Sequence, residues 1–101
     1  MLFFKSKKAA QENEGCLASN RIMLEGKPVG YMYREAPDKS FPDSGWRFFS
    51  GDESDEYCDN PNNFKLYKLD TVAKKDPSIA AFLKAPIGSA YVKEGGRFIK
   101  E

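Results

Sequence analysis

Asp43-Ser-Gly-Trp-Arg-Phe-Phe-Ser-Gly-Asp-Glu-Ser-Asp-Glu-Tyr-Cys-Asp-Asn-Pro-Asn-Asn63 runs from aromatic residues into an acidic cluster and then into a turn. Successive side chains of a strand point to opposite faces. Residues 45–50, read as a strand, therefore set Trp46 and Phe48 on one side and Arg47 and Phe49 on the other. An aromatic on each face predicts a central strand covered on both sides. Ser50-Gly-Asp-Glu53 has the spacing of a capping box, and acids in a first helical turn complement the positive end of the helix dipole. A short helix over 53–58 is expected, with Asp52 an equally good N-cap and Asn60-Pro61 as the stop.

Upstream of this stretch, Cys16-Leu-Ala-Ser-Asn-Arg-Ile-Met23 carries a strand signal. The turn Glu25-Gly26 and a second strand over 28–34 follow, so the pair reads as a hairpin. In that second strand Val29, Tyr31 and Tyr33 share one face, and Gly30, Met32 and Arg34 the other. Residues 35–44, with two prolines and two aspartates, form a loop. Downstream, 64–69 is a weaker strand and Asp70 can cap a helical turn over 71–75. Asp76-Pro77 is an N-cap followed by proline at the first helical position, and Ile79, Phe82 and Leu83 make the buried stripe of a helix ending near Lys84. Residues 88–93 and 97–100 close the chain as a hairpin about Glu94-Gly95-Gly96. The fold class is α+β: a mainly antiparallel sheet of four to six strands with one or two short helices packed on it. Residues 1–14, which mix lysines with Gln, Asn and Glu, read as a mobile basic arm, and 15–101 as a single domain.

A chain of 101 residues can bury one core, and its 41% apolar and 14% aromatic content places it with globular proteins. The absence of histidine removes Ser-His and Cys-His dyads and the usual catalytic zinc site. A net charge of +1 argues against nucleic acid as a partner. No apolar run approaches a membrane span or a secretory h-region, so the expectation is a cytoplasmic protein with no membrane partner. Cys16 and Cys58 could pair, but two cysteines without a signal peptide favour free thiols. Charge is sorted along the chain. Glu35, Asp38, Asp43, Asp52, Glu53, Asp55, Glu56 and Asp59 face only Lys39 and Arg47 between 35 and 59, whereas bases outnumber acids from 60 onward.

The acidic cluster does not make a calcium loop: counted from Asp55, Tyr57 stands third, Pro61 seventh, and no glycine sits sixth. Neither a metal nor a cofactor is called for. A hydrolytic carboxylate pair needs one acid kept protonated in an apolar pocket. Asp43 beside Trp46 is the one candidate, and an acid that caps the loop or pairs with Arg34 or Arg47 explains it better. Aromatic strands can stack bases, but five carboxylates next to Trp46 would repel phosphate. Cys58, among acids, has the environment of an unreactive thiol, and the glycines lack phosphate-loop spacing.

Cys16–Met23, Gly30-Tyr-Met-Tyr-Arg-Glu35, Asp43-Ser-Gly-Trp-Arg-Phe-Phe49, Gly51-Asp-Glu53, Glu56-Tyr57, Asn60-Pro61 and Asp76-Pro77, in that order, resemble the bacterial immunity protein 33-like family, also catalogued as domain of unknown function 2185. The likeness covers about 15–93. It implies a small α+β protein, not an enzyme, that binds and neutralises a toxin domain of a polymorphic toxin system. Arg34, Asp43, Trp46, Arg47, Asp52, Glu53, Tyr57 and Asn60 stand at its characteristic positions. Two readings follow. In the first, Asp52, Glu53, Asp55, Glu56, Tyr57 and Asp59 form a face for a basic toxin domain, whose capture a single-sign patch would speed. In the second, Arg34, Asp43, Trp46 and Arg47, near Asn60, form a pocket for a small ligand or an enzymatic substrate. The missing histidine, metal spacing and phosphate loop favour the first.

Overall fold

The computed structural model describes residues 14–101. The arm expected over 1–14 therefore lies outside the described residues except for Glu14. Six strands form one sheet: β1 (Gly15–Ser19), β2 (Tyr31–Arg34), β3 (Asp43–Phe49), β4 (Phe64–Lys68), β5 (Ala90–Glu94) and β6 (Arg97–Lys100). Their order is β4-β1-β3-β2-β5-β6. Every neighbouring pair is antiparallel except β1 with β3. Three short α-helices, α1 (Asn20–Met23), α2 (Asp55–Asp59) and α3 (Leu69–Lys75), and two 3-10 turns, Pro61–Asn63 and Pro77–Phe82, complete the α+β architecture.

β3 is central, as its two aromatic faces suggested, and six of its seven residues are buried, but it is not covered on both sides as expected: Trp46 and Phe48 are fully buried while Phe49, on the opposite face, is only half-buried. The expected hairpin of 16–23 with 28–34 does not form. β3 inserts between β1 and β2, pairing Leu17 with Arg47 on one side and Tyr33 with Arg47 on the other. The cause lies at Ser19, whose Oγ accepts from the Arg21 N–H at 3.1 Å and turns the chain from strand into α1. A strand that ends in a helix cannot feed a two-residue turn. β1 therefore takes a parallel partner reached through a long crossover instead. The C-terminal hairpin does form, with Gly95 and Gly96 at φ 58° and 80° between Glu94 and Arg97, the backbone of a type I′ turn.

One face of the sheet carries the core. Cys16, Ala18, Met32, Trp46 and Phe48 pack there against Ile22 of α1, Val72 of α3, Ile79 and Val29, all fully buried. The stripe at 79–83 departs from expectation because 77–82 winds as a 3-10 turn rather than an α-helix. With three residues per turn, Ile79 and Phe82 align while Leu83 falls past the end. Ile79 is buried, but Phe82 and Leu83 are only half-buried. Phe82 instead covers the C-terminal hairpin, 4.8 Å from the Tyr91 ring and 5.3 Å from that of Phe98. Asp76 caps this turn as expected, accepting from the Ser78 N–H, and its second oxygen takes the Val29 N–H at 2.8 Å. Asp70, expected as a cap, lies inside α3, which starts at Leu69 with no side-chain cap.

The capping-box reading was half right. Glu53 does reach back to the Ser50 and Gly51 N–H groups, at 2.8 and 2.9 Å, and Ser50 Oγ donates to it at 3.0 Å. These bonds close a tight turn at the end of β3, not a helix start. The helix begins later, at Asp55, with Ser54 as N-cap to the Tyr57 N–H.

Candidate binding face

Strand alternation sends Asp43, Arg47 and Phe49 of β3 to the face opposite the core. The pairing register sets Tyr31 and Tyr33 of β2 and Leu17 of β1 beside them, with Leu66 of β4 across from Leu17 and Val92 of β5 across from Tyr31. Among the described residues no second layer covers this face; only α2 leans over part of it. The rings form a continuous chain. Tyr33 stacks on Phe49 at 5.8 Å, Tyr31 lies 5.9 Å from both, Phe49 meets Phe64 edge-on at 5.5 Å, and Phe64 meets Tyr57 of α2 at 6.0 Å. Arg21 stacks over Tyr57 at 4.7 Å and so ties α2 to α1. Between α2 and the sheet a cleft of about 280 Å³ opens, lined by Leu17, Tyr33, Glu35, Arg47, Phe49, Cys58 and Phe64.

Beneath it lies an ion cluster. Arg47 forks onto Asp43, with Nη1 to Oδ1 at 2.9 Å and Nη2 to Oδ2 at 2.8 Å, and its Nε donates to Glu35 Oε2 at 2.7 Å. Asp43 also accepts the N–H groups of Asp38 (2.7 Å) and Gly45 (2.9 Å). Burial pushes its carboxyl up, but these four bonds outweigh burial and hold it below the usual carboxylate range. Burial likewise works against the Arg47 charge, and Asp43 and Glu35 more than restore it. Asp43 thus caps the loop and pairs with Arg47, the simpler of the roles considered for it. Gly45, at φ +92°, is required here, since a Cβ would lie 2.0 Å from the Glu35 carbonyl oxygen.

The acids read as a partner face divide into two groups. Asp52 is held by Lys27, by Arg21 at 3.5 Å and by the Ser50 hydroxyl; led by the Lys27 hydrogen bond, these contacts bring its carboxyl down to about 2. Glu53 is spent on the turn: burial raises its carboxyl, and the Ser50 and Gly51 amides bring it below its usual range. Asp55, Glu56 and Asp59 are exposed on α2 and make no ion pair among the described residues. Tyr57 is half-buried between them and Phe64. Burial and the carboxylates of Glu53, Asp55 and Asp59 push the exposed Cys58 thiol up, while Cys16, in the core, is raised to about 12 chiefly by burial.

The pocket of the second reading does not assemble. Trp46 and Arg34 belong to the core face, where Trp46 Nε1 donates to the Leu83 carbonyl at 3.0 Å. Arg34 lies 5.9 Å from the Trp46 ring and donates to the carbonyls of Ser44 and Ala85, both at 2.8 Å. Asp43 and Arg47 lie on the other side of the sheet, because adjacent strand residues point apart. Asn60 sits beyond α2 and caps the Pro61–Asn63 turn through the Asn62 N–H at 3.0 Å. Among the described residues no group of three or more Cys, Asp or Glu side chains could hold a metal, and no helix is long and apolar enough to cross a membrane.

Sequence reasoning missed Tyr33, Phe49, Phe64, Leu17 and Glu35 as neighbours of one cleft. The alternation within each strand was readable, but only the unforeseen β1-β3-β2 order brings those faces together. No curated protein and no solved structure matches the chain. A family model, Immunity protein Imm33 domain, matches residues 16–101, from the second residue of β1 to the C-terminal end of the chain. By that match across the whole sheet, the chain belongs to the Imm33 immunity protein domain family.

Proposed function

We propose that this protein is a non-enzymatic immunity protein of the cytoplasm that binds a basic toxin domain and neutralises it by covering its working surface. The observation that carries this reading is the family match over 16–101, which includes every strand and helix described above. The surface supports it in two ways. Asp55, Glu56 and Asp59 project from α2 without basic partners among the described residues, and such a single-sign patch accelerates encounter with an oppositely charged protein. Beside them the open sheet face offers Tyr31, Tyr33 and Phe49, residue types that anchor interfaces when a partner excludes water. Asp52 and Glu53 serve this face by shaping the turn that leads into α2, rather than as free charges.

Growth rescue tests the reading. The reading predicts a toxin domain encoded beside this chain; that domain is expressed in a sensitive host with the wild-type protein or with an Asp55→Lys, Glu56→Lys, Asp59→Lys triple variant. Wild-type protein should restore growth and the triple variant should fail while remaining folded. Growth arrest in the presence of abundant wild-type protein would defeat the immunity reading. Equal rescue by the triple variant would remove α2 from the contact.

A further inference from the structure

We infer that the cleft between α2 and the open sheet face receives one lysine or arginine side chain of the partner, a step that rests on the toxin-binding reading above. Its walls are apolar or aromatic: Leu17, Tyr33, Phe49 and Phe64 from four different strands, closed on one side by Cys58 of α2. Its charge is negative. Arg47, the one base among the described residues lining it, is already paired with Asp43, which accepts its fork, and with Glu35, so the three groups together carry one net negative charge.

Glu35 stands at the rim with its side chain half exposed. One of its oxygens is taken by Arg47, and the other accepts no bond among the described residues. Asp55, Glu56 and Asp59 add their field from above. A carboxylate or phosphate would be repelled from such a cleft, and a purely apolar side chain would strip water from Glu35 without replacing it. A long basic side chain satisfies both halves: its methylene stem lies along the rings, and its cation meets the free Glu35 oxygen over aromatic faces. At about 280 Å³ the space holds a side chain rather than a length of folded partner.

The probe is the peptide acetyl-Gly-Arg-Gly-amide, titrated into the labelled protein and followed by amide NMR. Its neutral isostere, with citrulline in place of arginine, is run alongside. Saturable shifts are expected at Tyr33, Phe49, Cys58 and Phe64, with the citrulline peptide weaker by roughly fivefold, the scale of one cation–π contact. Glu35→Gln should weaken the arginine peptide by a similar factor of roughly five while leaving the fold intact, since the Asp43 fork to Arg47 remains. Phe49→Leu, which keeps an apolar wall but removes the ring, is the second variant and should act in the same direction. Equal binding of both peptides, shifts confined to Asp55 and Glu56, or no shift at millimolar peptide would each overturn the inference. The two claims fail separately: a toxin neutralised equally by wild type and by Glu35→Gln defeats the cleft alone, whereas a toxin that wild type cannot neutralise defeats the reading on which it rests.

Discussion

Replacing Asp43 by asparagine removes one charge and almost no volume from beneath the open face, so it isolates the buried pair with Arg47. In the native protein that carboxylate is 2% exposed and takes four hydrogen bonds. In the variant the amide turns an NH2 group toward a guanidinium that can only donate, while the remaining oxygen can still serve Gly45 or Asp38. Removing one partner of a buried pair costs about 3–5 kcal/mol. Because Glu35 still holds Arg47 Nε, the lower end, about 3 kcal/mol, is expected. For a domain of this size that corresponds to a fall in Tm of roughly 12–24 °C.

Urea unfolding followed by Trp46 fluorescence, with thermal melts, measures the loss. The pH dependence has a defined sign. Hydrogen bonds from Arg47, Asp38 and Gly45 overcome burial and depress the folded carboxyl. Its contribution is thus complete above the ordinary aspartate pKa of about 4 and is lost as pH falls through the lower folded value. The gap between wild type and variant should therefore narrow in acid. A loss below about 1 kcal/mol, the scale of a solvent-screened surface pair, would refute the argument, as would a gap that widens as pH falls.

Phe48→Ala should cost about 3–5 kcal/mol, since its ring is fully buried and stacked 6.0 Å from Trp46; a loss under about 1 kcal/mol in urea titration would place it outside the core. In folded protein an aromatic disulfide reagent should label Cys58 slowly and leave Cys16 untouched until denaturant is added. One thiol should thus titrate before unfolding and two after; two before unfolding would mean that the β1 core face opens readily.

Strand identity and the side-chain alternation of β3 were legible because Trp46-Arg-Phe-Phe49 carries aromatics at both parities; the same pattern overstated the cover, since only the Trp46 and Phe48 side is buried and Phe49 stays half-buried on the open face. The C-terminal hairpin was legible for a similar reason: Gly95-Gly96 supplies positive φ where a two-residue turn demands it. The β1-β3-β2 order was not. It depends on a side-chain bond at Ser19 and on a parallel pairing across more than twenty residues, neither of which leaves a local periodicity. The face inherited this blindness. Asp55, Glu56 and Asp59 could be named from charge alone, but which acids are free depended on Arg21 and Lys27 closing on Asp52 from distant sequence. Arg34 and Arg47 were equally plausible as ligand contacts until strand parity sent one to the core and the other to the open face.

The central claim, that the acidic helix α2 captures a basic toxin domain, is tested most directly by stopped-flow association of this protein with that domain across a range of salt. Wild-type protein should associate fast at low ionic strength and slow steeply as salt rises, with the dissociation rate nearly constant, because screening acts on the approach. The Asp55→Lys, Glu56→Lys, Asp59→Lys variant should associate at least roughly tenfold more slowly at low salt and lose that salt dependence. Association rates that are equal for the two proteins and insensitive to salt would contradict the account.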